Sequence, residues 1–143
     1  MRRPHLAVAV VAASLVAVPG CGGSSDADGA KHAMTDFMAA IGKGDGKKAC
    51  ALADESGRQR LVQAAKGKLS CEDLVAAIAA RLPADVRTGL QNAEVKKVTV
   101  KGDRATIKDS DISAKKGKLS GFLESETPTK LVKQGGEWKV SGD

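Results

Sequence analysis

The apolar pattern of this chain changes period once. Up to Asn92 apolar residues recur at helical spacing, and beyond it they alternate. A chain patterned in this way buries its apolar faces by laying helices against a sheet. Met34, Phe37, Met38 and Ile41 form one stripe at i, i+3, i+4 and i+7, which predicts a helix from about Lys31 to Ile41. Gly42 to Gly46 breaks it, and Asp45 is placed to cap a short helix from Lys47 to Ala53 that presents Ala49, Leu52 and Ala53 beside Cys50. Ser56-Gly57-Arg58-Gln59 has the form of a capping box and opens a third helix carrying Leu61, Val62 and Ala65, ended by Gly67. Ser70 caps the best-defined helix, whose stripe is Cys71, Leu74, Val75, Ile78 and Leu82, and Pro83 stops it. Ala84 to Asn92 adds a further turn or two around Val86 and Leu90.

After Asn92 the spacing predicts a strand from Val95 to Lys101, a Gly102-Asp103 turn and a strand from Arg104 to Lys108. In that register Val100 faces Ala105 and Val98 faces Ile107. Lys97, Thr99, Lys101, Arg104, Thr106 and Lys108 take the other face. A second hairpin runs from Thr129 to Gln134, turns at Gly135-Gly136 and returns from Glu137 to Val140, with Leu131 opposite Val140 and Trp138 on their face. Between the hairpins, Ser110 to Ser125 reads as a polar loop with room for a short strand and one apolar island from Leu119 to Leu123.

The first twenty-one residues read as an address. Arg2 and Arg3 precede an apolar run from Leu6 to Val18, the pattern of a secretory signal and too short for a spanning helix, which needs about 20 apolar residues. Val18-Pro19-Gly20-Cys21 resembles the bacterial lipobox, with Pro19 where Ala or Ser is usual. That resemblance implies cleavage after residue 20, a diacylglyceryl group on the Cys21 thiol, and anchoring at the outer face of the cytoplasmic membrane. The export route stays open. Gly22 to Gly29 has the composition of a flexible tether, so the expected organisation is a signal peptide at 1–20, a tether at 21–30 and one domain at 31–143. Loss of Arg2 and Arg3 lowers the net charge of +6 by two, leaving a mildly basic chain. With Cys21 lipidated and the domain exported, Cys50 and Cys71 are the candidates for a disulfide. Two free buried thiols are the alternative.

Helices followed by an antiparallel sheet define an α+β domain. An early helix ends at Gly44-Asp45-Gly46, a Cys lies in Ala49-Cys50-Ala51-Leu52, and a second Cys opens Cys71-Glu72-Asp73-Leu74. Gly136-Glu137-Trp138-Lys139-Val140 closes the chain. Over residues 31–143 this pattern resembles small lipoproteins of high-GC Gram-positive bacteria with a nuclear transport factor 2-like domain, the cone-shaped family that includes ketosteroid isomerase. The resemblance implies N-terminal helices packed on a curved antiparallel sheet. A cystatin-like helix-on-sheet arrangement is the rival architecture.

The residues offer little chemistry. The chain has no Tyr, one Trp, two Phe and two His, which excludes a Tyr-based oxyanion hole, a multi-His metal site and a base-stacking platform for nucleic acid. His32 reads as a solvated helix-end histidine, Asp109-Ser110-Asp111 as a solvated loop rather than a calcium site, and Glu72-Asp73 as carboxylates complementing a helix dipole. No catalytic residue, metal ligand or cofactor is assigned. Ketosteroid-isomerase-like enzymes pair a carboxylate base with a Tyr-containing oxyanion hole, and none of those positions can be matched to this chain.

The function expected is therefore a membrane-anchored, non-catalytic binding or interaction module for a small apolar ligand or a protein partner. An enzyme using an unrecognised carboxylate pair is the alternative. Phe37, Ile41, Leu74, Ile78, Val98, Val100, Ile107 and Trp138 are the candidate lining residues of an apolar concavity. Lys96, Lys97, Lys101, Arg104 and Lys108 would suit an anionic polymer or lipid, but such runs are usually a solvated strand face.

Overall fold

A computed structural model describes residues 24–143. The proposed signal peptide, the Cys21 junction and residues 22–23 lie outside them. Five helices precede six strands: α1 (Ser24–Lys43), α2 (Gly46–Ala51), α3 (Glu55–Ala64), α4 (Cys71–Arg81), α5 (Ala84–Gln91), then β1 (Ala93–Val95), β2 (Thr99–Lys101), β3 (Arg104–Ile107), β4 (Ile112–Ala114), β5 (Thr129–Gln134) and β6 (Glu137–Ser141). The chain is an α+β domain.

Three of the expected helix boundaries rest on short-range chemistry and hold. Asp45 accepts the Lys48 N–H at 3.0 Å and caps α2. Ser70 accepts the Asp73 N–H at 3.1 Å and returns a hydroxyl bond to that carboxylate at 2.7 Å. Pro83 separates α4 from α5. The opening of α3 differs. Its cap is Asp54, not Ser56, and Ser56 instead lies inside the helix and donates its hydroxyl to the Asp54 carboxylate at 2.8 Å.

The first helix begins at Ser24, so residues 24–30 are helical rather than a tether. The physical reason is tertiary. Ala30 is fully buried, Asp26 pairs with Lys133, and Gly29 approaches the indole so closely that a Cβ there would lie 3.0 Å from the Trp138 ring. Packing against β6 overrides the weak helix propensity of Ser, Asp and Gly.

The sheet also departs from expectation. The predicted strand from Val95 to Lys101 is interrupted, and its two ends belong to different sheets. Ala93–Val95 pairs with Ile112–Ala114, an arrangement continued by the Lys96 N–H on the Asp111 carbonyl at 2.8 Å. Thr99–Lys101 turns through Gly102-Asp103 into β3 with Val100 opposite Ala105. Val98 stands outside the ladder, and Ile107 pairs with Thr129 instead. The four-stranded sheet has the order β2-β3-β5-β6, all antiparallel. Leu131 opposes Val140 and Lys133 opposes Trp138, which puts Leu131, Trp138 and Val140 on one face. The 110–125 stretch supplies most of a 3₁₀ turn (Asp109–Asp111) and all of β4.

Helix α1 packs along β6 and against α5, and the core lies between helices and sheet around Met38, Val75, Leu90, Ile107 and Leu131. The outer edge of β6 is covered by the link between α2 and α3. The Val140 N–H donates to the Leu52 carbonyl at 2.8 Å, and the Asp54 N–H to the Val140 carbonyl at 2.9 Å. Cys50 and Cys71 form a disulfide joining α2 to the first turn of α4, with Cα atoms 6.2 Å apart. The two helices approach there because Gly46 has no side chain. A Cβ on it would stand 2.3 Å from the Glu72 carbonyl oxygen.

Candidate functional site

Strand alternation sends Ala105, Ile107, Leu131, Trp138 and Val140 into the core and turns their neighbours outward. On that outward face a depression of about 330 Å³ is lined by Thr99, Lys101, Arg104, Thr106, Lys130, Val132, Ser141 and Asp143, among others. The ladder fixes its plan as two rows. One runs Lys101, Arg104, Val132, Lys139 and the next Thr99, Thr106, Lys130, Ser141, each across all four strands, with Lys139 at the β6 edge outside the depression. Lys101 and Arg104 are thus direct cross-strand partners, and Lys130 is the diagonal neighbour of Arg104.

These three cations are exposed, and none of them joins an ion pair among the described residues. Other sheet lysines are paired: Lys133 with Asp26, and Lys139 with Glu137 at 3.0 Å. Asp143 is the single carboxylate among the residues lining the depression. Like charges placed directly opposite destabilise a ladder. The arrangement therefore carries an electrostatic cost within the fold and offers a fork of guanidinium donors, two ammonium groups and adjacent threonine hydroxyls to an anion.

The eight residues expected to line one apolar concavity are dispersed. Ile41, Ile107 and Trp138 are core residues, exposed by at most 6%. Phe37 borders a groove between α1, α3 and β6, while Leu74 and Ile78 border another between α3 and α4. Val98 and Val100 pack part-buried against the core from the β2 side. A domain of this size needs its large apolar side chains for the core, which takes them from any shared pocket.

Among the described residues, the titratable groups that depart from their ordinary behaviour are Asp54 and Glu55. Burial pushes the Asp54 carboxyl up, but donors from Gly57 and Ser56, with Ser141 and Gly142, outweigh it and hold it below 3.8. Glu55 is lowered by hydrogen bonds from Arg58 and Gln59. Both groups brace α3, and each is held in the charged form. Asp109 has a similar bracing role, accepting the Ser125 N–H at 2.9 Å. Among the described residues no group of three or more His, Cys, Asp or Glu side chains could hold a metal ion. His32 is exposed on α1.

Residues 20–141 match the family model of a domain of unknown function, DUF4878. The chain belongs to that family. No curated protein and no solved structure matches it. The DUF4878 match spans both cysteines of the disulfide and every residue of the outward cationic cluster. The sequence assigned Lys101 and Arg104 to an outward face, but Lys130 enters their cluster only through β3–β5 pairing, a contact between segments far apart in the chain. The alternation around Leu131, which turns Lys130 away from the core, is the local signal for it.

Proposed function

We propose that this DUF4878 chain is a lipid-anchored extracytoplasmic binding module without a catalytic role. The observation that carries the reading is the division of its three cysteines. Cys50 and Cys71 are joined to one another, a bond maintained in oxidising compartments, and this leaves Cys21, at the end of the apolar leader and inside a lipobox-like sequence, as the remaining thiol. The helices packed on one face of an antiparallel sheet support the nuclear transport factor 2-like reading, with the division into two sheets as a variation on it. The two groups with displaced ionisation among the described residues, Asp54 and Glu55, are both lowered and structural, whereas a general acid working near neutral pH needs a raised carboxyl. The ligand would meet an outside surface of the domain, since the large apolar side chains are taken up by the core.

Fractionation of cells expressing the chain tests the anchor. Wild type is expected in the membrane fraction with diacylglyceryl mass on the Cys21 peptide, and Cys21→Ser is expected in the medium or soluble fraction. A variant that stays membrane-bound, with no lipid mass on the wild-type peptide, refutes the reading.

A further inference from the structure

The outward cationic depression begins at one particular end of the fold, with Lys101 and Arg104, and runs along the sheet to Lys130, Ser141 and Asp143. The turns Gly102-Asp103 and Gly135-Gly136 close neighbouring hairpins at the same end of the four-stranded sheet, and the Lys133 N–H reaches the Asp103 carbonyl there at 2.8 Å. The start of α1 is fastened to that end as well, on the opposite, core-facing side of the sheet, by Asp26 on Lys133 and by Gly29 against Trp138. Lys101 and Arg104 are the pair that flanks the Gly102-Asp103 turn. Only residues 22 and 23 separate Cys21 from Ser24, so those three steps of chain span at most about 11 Å.

The geometry points to the outer sheet face as a docking surface for the anionic bilayer itself, with Lys101, Arg104 and Lys130 engaging lipid phosphates. Naming the bilayer as occupant rests on the lipid-anchored reading, because the short leash holds the turn end of the sheet, with Lys101 and Arg104, near the headgroups. The surface potential of an anionic leaflet acts over about a Debye length, roughly 8 Å at physiological salt. Charge complementarity supplies the second argument. Arg104 and Lys101 oppose one another across a ladder with Lys130 diagonal to Arg104, and no carboxylate pairs with them among the described residues. A phosphate seated between them removes that repulsion, its oxygens meeting the planar guanidinium fork and the Thr99 and Thr106 hydroxyls. The same charges disfavour packing this face on a second copy of itself.

The test uses the full chain carrying Cys21→Ser, so that no acyl group is attached, in co-sedimentation with phosphatidylcholine vesicles and with vesicles containing a phosphatidylglycerol fraction. The neutral vesicles register any insertion of the apolar leader, and the excess on anionic vesicles is the readout. That excess is expected to fall as salt is raised. Lys101→Gln, Arg104→Gln and Lys130→Gln together should reduce it about a hundredfold, since each basic residue near an anionic surface contributes several-fold. Lys43→Gln, Lys66→Gln and Lys68→Gln together, an equal loss of charge outside the depression, should leave most of it. Equal binding to both vesicle types overturns the proposal, as does an excess that survives in the first triple variant. Should that variant fail to fold, the salt dependence of the parent chain and Arg104→Lys, which keeps the charge but loses the fork, decide the matter. An excess unchanged in both measurements overturns the proposal. Amide shifts at residues 99–106 with inorganic phosphate, without a vesicle excess, make the site one for a soluble anion and overturn the bilayer as occupant. A wild-type Cys21 peptide without lipid, alongside a retained vesicle excess, overturns the anchor while supporting the face.

Discussion

Replacing Asp54 tests how the helical half of this fold is fastened to the sheet. Asp54 is 6% exposed, and its carboxylate accepts the Gly57 N–H at 2.6 Å and the Ser56 hydroxyl at 2.8 Å. The Ser56 hydroxyl lies 3.1 Å from that of Ser141 and accepts the Gly142 N–H at 3.0 Å, so one cluster joins the start of α3 to the end of β6. Asp54→Ala removes the helix cap, leaving the buried Gly57 N–H without its acceptor and the Ser56 hydroxyl with only Ser141 to turn to, for a total of about 3 kcal/mol. Unfolding entropy of about 2.1 cal/mol/K per residue over roughly 120 residues gives about 0.25 kcal/mol per degree, hence a fall in Tm of about 12 °C. Asp54→Asn keeps an acceptor and should lose less than half as much. Ser56→Ala should cost about 1 kcal/mol. The carboxyl is held below 3.8 in the folded chain, so its stabilisation is present above that value and is lost as pH falls through the folded value. The gap between wild type and Asp54→Asn should therefore narrow as pH falls below the ordinary carboxylate range. Circular dichroism melts at neutral and acid pH measure all of this. If Ser56→Ala costs as much as Asp54→Ala, or if the gap to Asp54→Asn widens in acid, the assignment of Asp54 as cap and anchor is wrong.

Two further outcomes can be read by the same melts. Reduction of the Cys50–Cys71 bond, with a sequence separation of 21, should cost about 3 kcal/mol in the chain-entropy account and lower Tm by about 12 °C; a change of under about 3 °C would show that the bond does not constrain the unfolded chain. Gly89→Ala should destabilise by about 2 kcal/mol or more, because its Cβ would stand 2.0 Å from the Lys118 carbonyl oxygen, and a melt unchanged from wild type would mean that α5 and the 117–118 backbone do not meet in solution.

Much of the architecture is legible because its signals are short-range. The caps at Asp45 and Ser70 and the break at Pro83 act within one turn of helix, and the Gly102-Asp103 turn fixes its own register. Other features depend on segments distant in sequence. The composition of Gly22 to Gly29 signals a tether, yet residues 24–29 are helical because Trp138 and Lys133 receive them. Ser56-Gly57-Arg58-Gln59 satisfies the capping-box pattern, but Asp54 takes the cap because its own N–H is held by Val140 of the edge strand. The predicted strand from Val95 to Lys101 divides because Lys96 pairs with Asp111, a partner provided by a segment that reads as loop. Gly89 resembles a propensity defect inside α5 until the chain at Gly117 and Lys118 is seen to lie on it.

The candidate site shows the same division between local and distant information. Alternation in β2 and β3 suffices to turn Lys101 and Arg104 outward, and by itself it describes a solvated strand face. What this face adds is that unpaired cations from three strands are gathered on it. On β5 and β6 the lysines nearest the helices find carboxylates, Asp26 from α1 for Lys133 and Glu137 for Lys139. Across β2, β3 and the start of β5, Lys101, Arg104 and Lys130 are brought together with no such partner among the described residues. A fold selected for stability alone would place a carboxylate opposite Lys101, since opposite charges in a cross-strand pair stabilise and like charges do the reverse. Keeping Arg104 there gives up stability beside the Gly102-Asp103 turn, at the end of the sheet to which the start of α1 is fastened. That compromise is understandable if the missing counter-charge arrives from outside the chain.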